Sequence, residues 1–91
     1  MDNEEYQDLR EEIYREAHDV VRTANRKIGL SWFEIADVSL TVRFGEQAER
    51  FWVARLGVER NWEEVASNPV SALAKLRKTI RSTPLPPRYI G

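Results

Sequence analysis

From Val38 to Phe44 apolar and polar residues alternate without a break: Val38, Leu40, Val42 and Phe44 against Ser39, Thr41 and Arg43. A period of two puts all four apolar side chains on one face of a strand, and that face is expected to look into the core. After a polar loop over residues 45–49, apolar content resumes at Phe51, Trp52, Val53, Ala54 and Leu56. Two strands joined by this loop form a predicted β-hairpin, with Gly45 expected to supply its unusual backbone angle. The second strand is apolar on both sides, with Phe51 and Val53 on one and Trp52, Ala54 and Leu56 on the other. It is therefore either central and covered twice, or it exposes one face for binding. Ala48, Phe51, Trp52 and Arg55 also fit helical spacing, but the aromatic and valine content favours a strand.

Whatever covers the hairpin must come from the flanking segments. Tyr6, Leu9, Ile13, Ala17, Val20, Ala24 and Ile28 recur at spacings of three and four, the stripe of an amphipathic helix. Asp2 and Glu5 form a capping box at its start, Arg22, Arg26 and Lys27 suit its negative end, and Gly29 stops it. This helix, about 25 residues and roughly 37 Å long, is longer than one hairpin can cover. Its excess must overhang, pair with another helix, or pair with a second copy; Tyr14 and Val21 widen the stripe in favour of a partner.

Downstream, Gly57 permits a bend and residues 59–66 offer a third strand, with Trp62, Glu64 and Ala66 on one side and Glu63 and Val65 on the other. Its charges suit an edge strand. Asn68 and Pro69 then make a strong helix start, followed by Val70, Leu73, Leu76 and Ile80 at helical spacing. The prolines at 84, 86 and 87 force an extended tail. The expected architecture is α+β: a long N-terminal helix, a three-stranded antiparallel β-meander, and a C-terminal helix. It fills one domain over residues 1–82, with a Pro-rich tail over 83–91.

Residues 30–36 are ambiguous. Ser31-Trp32-Phe33-Glu34-Ile35-Ala36 fits either a short capped helical turn or an irregular lead-in to the first strand, with Trp32 or Phe33 closing one end of the core. As a turn it resembles the Ser/Thr-Trp-x-Glu-Ile-Ala start of a bacterial helix-turn-helix unit, which would imply a recognition helix next. The chain instead continues into the alternating run 38–44, with no glycine turn. The element order is similar to that of double-stranded-RNA-binding domains. The helix start Asn68-Pro-Val-Ser-Ala-Leu resembles the Thr-Pro-x-x-Ala-Leu start seen in antitoxins of mRNA-cleaving toxins. Arg81-Ser-Thr-Pro-Leu-Pro-Pro resembles an SH3 ligand, while Leu85, Tyr89 and Ile90 suit an arm docked on its own domain or on a partner.

An enzyme is not expected. Ninety-one residues supply one histidine and no cysteine, and the sequence has no glycine-rich phosphate loop. His18 falls off the apolar stripe, and adjacent Glu63 and Glu64 would point to opposite faces of a strand. Glu34 and Asp37 could approach each other in a turn. No cofactor and no metal site are expected, and no run of about 20 apolar residues suggests a membrane span. The acidic amino terminus does not suit a signal peptide, so a cytoplasmic protein is the expectation.

Charge is unevenly spread although the net is -1. Residues 1–20 carry eight acids against two arginines, whereas residues 70–91 carry five bases and no acid. Either the two segments neutralise each other or they present opposite faces. The expected function is a small non-enzymatic protein-interaction protein: a regulator, inhibitor, antitoxin-like factor or subunit of a larger complex, as a homodimer or with a protein partner. Three tryptophans, three tyrosines and three phenylalanines exceed what so small a core consumes. Candidate interface residues are Tyr6, Tyr14, Val21, Trp32, Trp52, Trp62, Leu85 and Tyr89, at least one tryptophan being expected in the core. The alternative is a nucleic-acid-binding regulator using Lys75, Arg77, Lys78 and Arg81.

Overall fold

The computed structural model describes residues 3–29, 31–57 and 62–83, with the side chains of Asn3, Glu4 and Tyr6 excepted. Among the described residues, helix α1 (Asn3–Ile28) leads through one 3-10 turn (Ile35–Asp37) to β1 (Val38–Phe44), β2 (Arg50–Leu56) and β3 (Glu63–Ala66), followed by α2 (Pro69–Ser82). The strands form one antiparallel sheet in the order β1-β2-β3. This is the α-β-β-β-α architecture expected from the sequence. The tail over 84–91 lies outside the described residues.

Register explains which side chains share a face. Val38 pairs with Leu56, Leu40 with Ala54 and Val42 with Trp52, while Ala54 pairs with Glu64 and Trp52 with Ala66. Both helices lie over this face. Ala54 and Leu56 join Ala17, Val20 and Ala24 of α1 and Ala72, Leu73, Leu76 and Ile80 of α2 in one core, closed by Phe33 and Trp62. The opposite face carries Val53, only 2% exposed, between its cross-strand partners Thr41 and Val65 and beside Phe51 and Arg55. Arg55 also ties β2 to β3 through a 2.6 Å ion pair with Glu63.

Helix α2 starts where its sequence signals it. Asn68 Oδ1 accepts the Ser71 N–H at 2.9 Å, and Pro69 occupies the first turn, where its missing N–H has no intrahelical partner to lose. Burial of helix α1 is deepest in its second half: Ala17, Val20 and Ala24 are buried, Ile13 packs half-buried against the core, Leu9 is half-buried and Tyr14 is exposed. The N-terminal excess thus overhangs. Arg77 of α2 reaches Glu16 at 3.8 Å and Asp19 at 3.5 Å, and Lys27 Nζ donates to the Arg81 carbonyl at 3.0 Å. Rising residue numbers on one helix meet rising numbers on the other, so the two run in the same sense. The opposed charges of the terminal segments touch at Arg77, yet the acid-rich start of α1 and the basic end of α2 stay at opposite ends.

Residues 31–34 take the lead-in form, not a capped helical turn at Ser31. The cause is Asn25, whose amide donates to the Phe33 carbonyl at 3.0 Å and accepts the Phe33 N–H at 2.9 Å. Held this way, Phe33 turns its ring inward edge-on to Trp62, with centroids 6.0 Å apart. Asp37 then closes the 3-10 turn by accepting the Glu34 N–H at 2.8 Å. In the hairpin loop the left-handed residue is Ala48 (φ 61°), not Gly45 as the sequence suggested. Gly45 lies against the Glu49 carboxylate, which accepts the Gln47 N–H, and a Cβ there would only have to displace that flexible, exposed side chain.

Candidate protein-interaction site

The hairpin outreaches its cover. β3 stops at Ala66, opposite Trp52, and the chain leaves the sheet there for α2. The pairs Arg43 with Phe51 and Phe44 with Arg50 continue beyond that point. The apolar row of β1 is accordingly buried in part: Val38 and Leu40 pack against the core, while Val42 is 37% and Phe44 68% exposed. This corrects the expectation that all four side chains face the core. Alternation fixed their common face, but the length of the covering elements decides how much of it is buried. Val42, Phe44 and half-buried Trp52 form an aromatic and aliphatic patch on the helix-covered face.

The other expected interface residues are scattered. Trp32 is 53% exposed at the opposite end of β1, its ring stacked on Phe33 with centroids 6.5 Å apart. Tyr14 is 57% exposed on α1 and lies edge-on to His18 at 4.6 Å. Together with Gln7, Arg10, Glu11 and Arg15 it lines an open cleft along the overhanging half of the helix. Val21 packs half-buried against the core. Trp62, 1% exposed, is a core side chain; it lies under the lead-in that Asn25 pins and is not a surface anchor. The side chain of Tyr6, and Leu85 and Tyr89, lie outside the described residues. Val42 and Phe44 were missed as surface residues because alternation reports a face and not its cover.

The basic residues of α2 do not form one free face. Arg77 is turned to Glu16 and Asp19, and Lys75 Nζ donates to the Val65 carbonyl on the β3 edge at 3.2 Å. Lys78 and Arg81 are exposed. Among the described residues there is no grouping of three or more His, Cys, Asp or Glu that could hold a metal ion. Among those residues, too, no helix is long and apolar enough to cross a membrane.

The backbone of β1 completes the geometry. The Gly57 N–H donates to the Asp37 carbonyl and the Gly45 N–H to the Glu49 carbonyl, both at 2.9 Å, at the two ends of the β1–β2 ladder. Antiparallel ladders alternate bonded and non-bonded pairs, so residues 39, 41 and 43 bond to β2. The N–H and C=O groups of Leu40, Val42 and Phe44 therefore point away from the sheet. These are the residues whose side chains form the apolar row. No family model matches this chain, and no curated protein or solved structure matches it.

Proposed function

We propose that this chain is a small non-enzymatic protein-interaction domain, acting in the cytoplasm as a regulator or as a subunit of a larger complex. Its docking surface is the uncovered end of the sheet. One observation carries this: Phe44 and Val42 stand in an apolar row whose other half is core, so a polypeptide laid there would continue the packing already begun. Burying an exposed phenylalanine and valine contributes about 1.5–3 kcal/mol each when fully removed from water. Aromatic anchors of this kind dominate binding energies at protein interfaces. Trp52, half-buried beside them, supplies a rigid floor. Arg43 and Arg50, both exposed at the hairpin tip, supply a polar rim.

The test is a Phe44→Asp variant. Substitution at an exposed site leaves the melting temperature close to that of the parent chain. Association with the protein's stoichiometric partner, measured by calorimetry or by co-purification, falls by a factor of about 100 or more, as expected for a lost central anchor. Undiminished association in a folded Phe44→Asp protein would remove this surface from consideration.

A further inference from the structure

We infer that the occupant of this surface is a second copy of the same chain, joined edge to edge through β1 in an antiparallel, two-fold arrangement that makes one six-stranded sheet. The inference deepens the protein-binding reading and rests on it.

The two sheet edges differ. β3 is short, carries Glu63 and Glu64, and has its outward Val65 carbonyl occupied by Lys75 Nζ. β1 is seven residues long and has no proline. Its described outward backbone groups at Leu40, Val42 and Phe44 have no hydrogen-bond partner among the described residues, and the Val38 N–H alone is taken, by the Ile35 carbonyl. Such an edge templates another strand unless something blocks it.

The sequence of β1 suits itself as that strand. With Thr41 on the two-fold axis, Leu40 lies opposite Val42 of the second copy and Val38 opposite the second copy's Phe44. Each outward-pointing residue then meets another outward-pointing residue, which is what a bonded antiparallel pair requires. All apolar side chains fall on the helix-covered face of both copies, and Arg43 faces Ser39 of the second copy instead of another arginine. The chain's own tail is a poorer occupant, because prolines at 84, 86 and 87 remove N–H donors that a strand needs.

Charge supports the same arrangement. Helix α1 lies on the β1 side of α2, because its Glu16, Asp19 and Lys27 flank faces α2 and its Asn25 flank meets the lead-in to β1. Across the axis the two α1 helices would run antiparallel. Asp8 and Glu11 in the first half of one would then pass Arg22 and Arg26 in the second half of the other, all four lying off the flank that faces α2. The Tyr14–His18 flank overlooks this seam. Complementary fields of this kind fix orientation and speed encounter.

Sedimentation equilibrium from micromolar to millimolar protein, with amide exchange and a single-cysteine series, tests this. The expected mass is twice 10.6 kDa, with Leu40, Val42 and Phe44 amides protected in the dimer. Val42→Pro should leave the β1–β2 ladder intact, since that N–H points outward, and raise the dissociation constant at least about tenfold. In the cysteine-free chain, Thr41→Cys should cross-link two copies under diamide, because unbonded antiparallel pairs bring Cα atoms to about 4.5 Å. Ser39→Cys and Arg43→Cys should not. A mass of 10.6 kDa throughout overturns the second-copy inference, as does a dimer with unprotected β1 amides or an unaffected Val42→Pro dimer. If the chain is monomeric but a different protein binds in a Phe44-dependent way, the interaction reading stands and this inference alone falls.

Discussion

Asn25 is the side chain that fastens the end of α1 to the lead-in of the sheet, and removing it gives a sharp test of the fold. Asn25→Ala deletes two hydrogen bonds, at 2.9 and 3.0 Å, to the backbone of Phe33. Phe33 is 8% exposed, so water does not readily replace the two bonds that its backbone loses. A typical bond contributes about 1 kcal/mol net, and stranding its partner adds to that, giving about 2–3 kcal/mol in all. For a domain of this size the melting temperature should drop by about 10–20 °C. Urea unfolding followed by tryptophan fluorescence measures the loss directly, because Trp62 sits against the Phe33 ring. The slope with denaturant should be unchanged, since the same surface is exposed on unfolding. Asn25→Asp keeps the acceptor for the Phe33 N–H and loses the donor to its carbonyl, so it should be destabilised too. A stability for Asn25→Ala within about 0.5 kcal/mol of the parent, the usual range for an inconsequential surface change, would refute the latch.

Other substitutions probe separate elements. Ala48→Gly should raise stability by about 0.5–1 kcal/mol, because the left-handed backbone there is costly for alanine and free for glycine; a thermal melt reads the gain. Asn68→Ala should cost about 1 kcal/mol in denaturant unfolding by removing the cap on Ser71. Arg77→Met should cost about 1 kcal/mol or more, because it takes the cation away from the buried Glu16 Oε2, and only the part due to the partly solvated Asp19 should shrink in high salt.

The elements legible in the sequence were those whose signal is local. Asn68 and Pro69 announce α2 because a cap and a first-turn proline answer to the helix itself. The alternation in β1 gave the strand and its apolar face for the same reason. The opaque parts depend on distant partners. Whether Trp32 or Phe33 closes the core is decided by Asn25, a helix residue whose amide gives no periodic signal. Trp62 is core because β3 and the lead-in converge on it. Val42 and Phe44 are exposed because the helices that cover this face stop short of the hairpin tip, a boundary that nothing within β1 encodes. At the candidate site, aromatic excess pointed to surface binding in general terms, while the particular patch emerged from where the cover stops.

The contact between α1 and α2 joins the two ends of the described chain: Arg77 reaches back to Asp19 across 58 positions. Leu73, Leu76 and Ile80, all fully enclosed, come from the last element. During synthesis, then, a nascent polypeptide that has released α1 and the hairpin still lacks the wedge that seals the interior. Only contacts between near neighbours, within α1 and within the hairpin, can form ahead of that moment. The rest must await emergence of α2 and then close in one concerted step, so that truncation before Ile80 would leave no smaller folded unit behind.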